Sequence, residues 1–261
     1  MRAGARSEGL RRGLEILGLF TDTRYEWGIT EISREMGLHK SRVHRAVKTL
    51  EDVGFLRKDP KSQKYSLGIR AYELGVVAAR RLSLTPEARP LMQEVAAETK
   101  AAVSIRVRDG DDIVIIDSIE SSDVLRVHAP PGARRAWDFG AGGKLFSAYH
   151  SPEQVKKMID KHGLTRYTEN SITGESDYFH ELDCVRRQGF AVSDGEHILG
   201  AFSVAAPILN PRGEVIAGLI ASLPSAGLSE DRRSKIVSVV VKKSAAISDL
   251  LKKEAGVSRA G

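Results

Sequence analysis

Residues 38–50 read LHKSRVHRAVKTL. Val43, Ala46, Val47 and Leu50 recur at i, i+3, i+4 and i+7, the spacing that buries one stripe of an α-helix. Ser41, Arg42, Arg45, Lys48 and Thr49 then face outward, with His44 at the border. A charged outward face is by itself an ordinary solvated surface. Its neighbours decide whether it reads something.

Upstream, Thr30 suits the N-cap of a short helix in EISREMG, with Ile32 and Met36 as its buried edge and Gly37 as its terminator. Only GLHK separates this helix from the next, which is helix-turn-helix spacing. Apolar residues at 10, 14, 16, 17, 19 and 20 fit a preceding amphipathic helix, broken by TDTR and Gly28. Downstream, a strand starting at Phe55 and Leu56, the polar turn KDPKSQK and a return strand from Tyr65 to Leu67 form a wing. Lys58, Lys61 and Lys64 near its tip suit phosphates.

Charge follows the same division. Residues 1–82 carry 17 Lys and Arg against 10 Asp and Glu, and the remainder 23 against 24. A basic module joined to a near-neutral one is expected where one part meets a polyanion. The reading is therefore a winged helix-turn-helix on double-stranded DNA. Lys40 and Ser41 go to phosphates at the helix start, and Arg42, Arg45 and His44 to base edges in the major groove. Thr30 and Lys48 complete the expected DNA-binding set. For His44, a border histidine bonded to neighbouring backbone is an equal alternative.

The composition, 41% hydrophobic and 28% charged, is that of a soluble globular chain, and the order of strands and helices in its later part suits an α+β fold. The longest apolar stretches are too short for a bilayer, which needs roughly 20 residues. The N-terminus lacks the apolar segment of a secretory signal, so the expected compartment is the cytoplasm. The lone Cys184 leaves neither an intrachain disulfide nor a cysteine zinc finger.

The chain resembles the isocitrate lyase regulator (IclR) family of bacterial transcription factors. The stretches that carry the resemblance are SEGLRRGLEILGLF, the run from ITEISREMGLHK to SLGIRAYELG, GAGGKLFSA, and GAFSVAAPILNPRGEVIAGLIASLP. It implies a winged helix-turn-helix at residues 7–70, linker helices at 71–98 and a GAF-like α/β effector-binding domain at 99–254. It also implies a homodimer or homotetramer, commonly a repressor, answering to a small carboxylic or aromatic acid. Many relatives have Lys-Ser-Thr where this chain has Lys40-Ser41-Arg42, so its operator preference is its own.

In the neutral part, strands and helices alternate as in a sensor domain. VLRVHAP reads as a strand, and the helix Ile69–Arg81 as the connection between the domains. The loop FGAGGKL is no phosphate-binding P-loop, because Asp138 and Leu145 occupy positions that need Gly and Ser or Thr. Its glycines still let backbone N–H groups approach an anion at a helix start. Gly140, Ala141, Gly142 and Gly143 are thus the candidate pocket backbone, with a ligand-free helix entry as the alternative. The family pattern adds Asp194, Glu196, Ser203, Ala221 and Ser222. Ser203 stands where many relatives have Cys, and Ile220 where many have Ser. With Trp137, Phe139 and Phe146 nearby, the expected wall is apolar and the expected effector an aromatic or longer acyl acid.

No nucleophile elbow, zinc-protease helix or paired-carboxylate motif is present, so no enzyme activity, cofactor or metal is expected. Asp194, Glu196 and His197 read as a solvated loop cluster. The competing function is a ligand sensor whose basic module recruits a protein rather than DNA.

Overall fold

The computed structural model describes residues 7–21, 23–81, 84–121 and 130–257. The chain divides into two compact units between Ser83 and Leu84.

The first unit holds α1 (Glu8–Leu17), α2 (Ile29–Glu35), α3 (Lys40–Asp52), β1 (Leu56–Lys58), β2 (Tyr65–Leu67) and α4 (Ile69–Arg81). Its core is Ile16, Trp27, Ile32, Val43, Val47, Leu56 and Tyr65, so the buried stripe of α3 meets one residue from each neighbouring element. The wing strands pair antiparallel with Arg57 opposite Ser66, and Trp27 bridges to Tyr65. Two details differ from the sequence reading. Gly28, not Thr30, caps α2, because the Glu31 carboxylate reaches back to accept the Gly28 N–H at 2.7 Å. Leu10 and Leu14 are exposed, leaving Gly13 and Ile16 as the buried positions of α1.

The second unit starts with α5 (Thr85–Thr99) and continues through β3 (Ala102–Asp109), β4 (Asp112–Ile119), β5 (Arg134–Arg135) and α6 (Gly140–Ala148). Then come α7 (Pro152–His162), α8 (Glu175–Gln188), β6 (Ala191–Asp194), β7 (Ala201–Leu209), β8 (Val215–Pro224) and α9 (Glu230–Val257). The six strands form one antiparallel sheet in the order β5-β4-β3-β8-β7-β6. The expected strand VLRVHAP lies almost wholly outside the described residues.

Strand alternation sorts the sheet into two faces. Val103, Ile105, Val204, Ala206, Leu219 and Ala221 pack with Met92 and Val95 of α5 and Val240 of α9. Ala205 and Ile220 point the other way, into a core with Leu145 of α6, Val155 of α7 and Leu182 of α8. The result is an α/β/α sandwich. Helix α5 is therefore part of the sensor core, where the sequence reading had a linker to residue 98. An Arg89–Asp117 ion pair at 2.5 Å also fixes it to β4.

Candidate nucleic-acid interface and ligand pocket

The turn between α2 and α3 is set by Gly37, whose φ of +63° is costly for any residue with a Cβ. The N-cap of α3 is His39, whose Nδ1 accepts the Ser41 N–H and lies 2.9 Å from the Ser41 hydroxyl. From this start α3 turns Lys40, Ser41, Arg42, His44, Arg45, Lys48 and Thr49 outward, all exposed.

The cations on that face are not equivalent. Lys48 ion-pairs with Glu51 at 3.2 Å and Asp52 at 3.4 Å within its own helix, and the Glu51 hydrogen bond holds its pKa above the usual lysine value. Lys40, Arg42 and Arg45 have no carboxylate partner among the described residues. They are the cations of α3 left available to an external anion. His44 makes no hydrogen bond among the described residues either, so the backbone-bonded alternative is absent.

The wing turn is built by Asp59, whose Oδ1 accepts the N–H groups of Lys61 and Ser62. These bonds hold its carboxyl below the usual range and leave the Lys61 ammonium pointing to solvent. Lys58 stands 5.8 Å over the Tyr65 ring, and Lys64 lies 3.9 Å from Glu31. Thr30 sits exposed in the first turn of α2.

In the second unit, register places Ala102, Ser104 and Arg106 of β3 on the face that bears Ile220 and Ser222 of β8 and Ser203 and Ala205 of β7. A cavity of about 90 Å³ opens there, with Ser104, Arg106, Ser118, Glu120 and Ser222 among walls that also include the apolar Val103, Ile119 and Pro131. Arg106 is 6% exposed and lies beside α6, its Nη1 3.4 Å from where a Gly142 Cβ would stand. Helix α6 begins without a side-chain cap, and Gly140, Ala141 and Gly142 are all buried. Gly140 has φ +65° and lies against the Ser203 hydroxyl.

Of the expected pocket residues, Ser222 alone is among those that line this cavity. Ala221 neighbours Ser222 on one strand, so it points to the opposite face and into the α5–α9 core. Asp194 pairs in register with Phe202 on that same far side and binds Arg233 of α9 at 2.5 Å. Glu196 is an ion-pair partner of Lys144 at 2.8 Å. Trp137 packs edge-on to Tyr178 beneath α6, Phe139 lies 5.0 Å from the His197 ring, and Phe146 faces another crevice. The aromatic side chains expected from sequence do not line this cavity, whose wall mixes Ser104, Ser118, Ser222, Arg106 and Glu120 with aliphatic residues.

Residues 9–60 match the IclR helix-turn-helix domain, and residues 76–249 match the bacterial transcriptional regulator IclR C-terminal domain. The chain belongs to the IclR family. The HTH-type transcriptional regulator KdgR of Dickeya chrysanthemi is 33% identical over 86% of this chain and 73% of its own length. The transcriptional repressor IclR of Escherichia coli is 27% identical over 90% of this chain and 86% of its own. An IclR homolog from Microbacterium hydrocarbonoxydans, solved with 4-hydroxybenzoate, shares the fold. Its TM-score is 0.85 at 23% identity, over 94% of this chain and all of that one.

This IclR-family chain is therefore a DNA-binding transcription regulator and not an enzyme. The family match to a helix-turn-helix domain sets aside the reading in which the basic module only recruits a protein. No described helix is long and apolar enough to cross a membrane. No group of three or more His, Cys, Asp or Glu among the described residues could hold a metal.

Two buried cations escaped the sequence reading. Lys144, 1% exposed, is held by Glu181 and Glu196 at 2.8 Å each, which explains why a lysine can stand inside a fully buried helix. Arg106 sits in SIRVRD, where alternation looks like an ordinary half-exposed strand. Only the packing of α6 on that face shows that it is buried.

Proposed function

We propose that each protomer lays α3 in a major groove, with Arg42 and Arg45 on base edges and Lys40 and Ser41 on phosphates. The observation that carries this reading is the outward face of α3, whose arginines lack acid partners while Lys48 is already paired. Arg reaches guanine edges through two parallel donors, which gives specificity that a paired lysine does not supply. The wing lysines Lys58, Lys61 and Lys64 add sequence-independent affinity. The protein works in the cytoplasm as a repressor.

A second copy supports the two half-sites. Leu10 and Leu14 of α1 are 64% and 59% exposed, and α4 leaves Ile69, Tyr72, Leu74 and Val77 uncovered. Apolar residues in such number on one small unit are what a partner helix would bury. Tyr72→Glu should shift the sedimentation of the full chain toward monomer.

The ligand enters at the start of α6. Uncapped, buried first-turn amides and the neighbouring serines favour an organic anion. The bound homolog with 4-hydroxybenzoate supports a ligand of that general kind. Such a ligand changes operator affinity by binding the DNA-competent and DNA-incompetent arrangements unequally. The direct test is binding of the full chain to its operator and to scrambled duplex across a salt series. A steep salt dependence with a sequence-specific excess supports the reading, and equal affinity for both duplexes refutes it.

A further inference from the structure

Arg106 is an expensive residue to place where it stands. Its guanidinium is buried, and its one hydrogen bond within the described residues runs from Nε to the Ser104 hydroxyl at 3.1 Å. No carboxylate among the described residues ion-pairs with it. Arg135 adds to the effect of burial in pushing its pKa down to about 10, and Glu120, the acid that lines the same cavity, does not ion-pair with it among the described residues. The side chain also lies along the first turn of α6, whose N–H groups carry partial positive charge. A buried cation without an acid partner is normally relieved by an anion.

The remaining wall is mixed, with serines beside Ala102, Val103, Ile119, Pro130 and Pro131. Ser222 and Ser104 are 7% and 3% exposed, and Ser118 stands opposite Ser104 on β4. The Ser222 hydroxyl makes no hydrogen bond among the described residues. Each hydroxyl can donate to or accept from a ligand oxygen. The space of about 90 Å³ suits a compact molecule.

We propose that Arg106 is the charge-reading residue of the effector pocket, pairing with the carboxylate of a compact hydroxy- or oxo-acid whose other oxygens meet Ser104, Ser118 and Ser222. This deepens the effector reading above and rests on it. A guanidinium presents two parallel donors to a carboxylate, so the pairing is oriented as well as charged. Lysine in its place keeps the charge and loses the fork.

The test is thermal unfolding of the full chain as wild type, Arg106→Met and Arg106→Lys. The probes are gluconate, pyruvate and 4-hydroxybenzoate, with neutral glucose as control at matched ionic strength. At saturation, gluconate or pyruvate should raise the wild-type Tm by about 3 °C. Arg106→Lys should keep part of that shift and Arg106→Met none. Without any probe, Arg106→Met should melt at or above wild type, because it removes an unpaired buried charge.

A carboxylate shift of equal size in Arg106→Met would overturn the role of Arg106 and leave the pocket itself standing. A shift with glucose equal to that with gluconate would overturn the anion class while sparing the effector site. A preference for 4-hydroxybenzoate over both compact acids would overturn the ligand class. An Arg106→Met protein that melts well below wild type without probe would mark Arg106 as a structural cation and end the proposal.

Discussion

The Nζ of Lys144 lies 2.8 Å from a carboxylate oxygen of Glu196, so the β6–β7 loop is tied to α6 from inside the molecule. The same loop is held from without, where the Glu196 carbonyl accepts from the hydroxyls of Thr168 and Ser171. Glu196 is thus a structural residue. Glu196→Ala leaves Lys144 with Glu181 alone and should destabilise the protein by about 1–3 kcal/mol in urea unfolding. The ligand-induced Tm shift should survive in the folded variant. Its loss there would return Glu196 to the pocket.

Two adjacent glycines of α6 should behave differently. A Cβ on Gly143 would stand 2.5 Å from the Asp138 carbonyl carbon and 2.7 Å from the Trp137 oxygen, both backbone. Gly143→Ala should therefore cost about 3 kcal/mol or more, or prevent folding. On Gly142 the nearest atom is the Arg106 guanidinium at 3.4 Å, a side chain that can move. Gly142→Ala should lower stability by only about 1 kcal/mol, measured by the same unfolding assay, and should weaken the response to gluconate or pyruvate.

Glu31 gives the first unit an acid-sensitive point. Its carboxyl is held below the usual glutamate value chiefly by the Gly28 N–H. A lowered folded pKa means that the stabilisation is complete above about 4.5 and is lost as pH falls through the folded value. Gly28 amide exchange, corrected for its intrinsic rate, should accelerate on acidification of the wild type. Glu31→Gln should already be faster at neutral pH and should show little further acceleration. An unchanged Gly28 protection in that variant would remove the capping role.

Much of this architecture is legible in the sequence because its signals are local. The stripe Val43, Ala46, Val47 and Leu50 fixes which side of α3 is buried and which faces solvent, and the turn residues around Pro60 announce the wing. The glycines from Gly140 to Gly143 likewise mark the start of α6. Alternation within a strand was also available: Ala221 and Ser222, as neighbours, cannot both face one pocket. What sequence cannot supply is which sheet face a helix will cover. That choice buries Arg106, turns Asp194 toward Arg233, and recruits Glu196 to Lys144. The N-cap of α2 was missed for a related reason, since the Glu31 side chain satisfies Gly28 and leaves Thr30 without that task.

The central claim is that unpaired arginines of α3 read base identity, and Arg45→Ala tests it most directly. Dissociation constants should be measured for wild type, Arg45→Ala, Lys61→Ala and Lys48→Ala on the operator and on a scrambled duplex at one salt concentration. Arg45→Ala should lose about 1–3 kcal/mol on the operator and much less on scrambled DNA. Lys61→Ala should weaken both similarly, and Lys48→Ala should change either least because Glu51 and Asp52 already hold its charge. Equal losses on operator and scrambled DNA for Arg45→Ala would contradict the account.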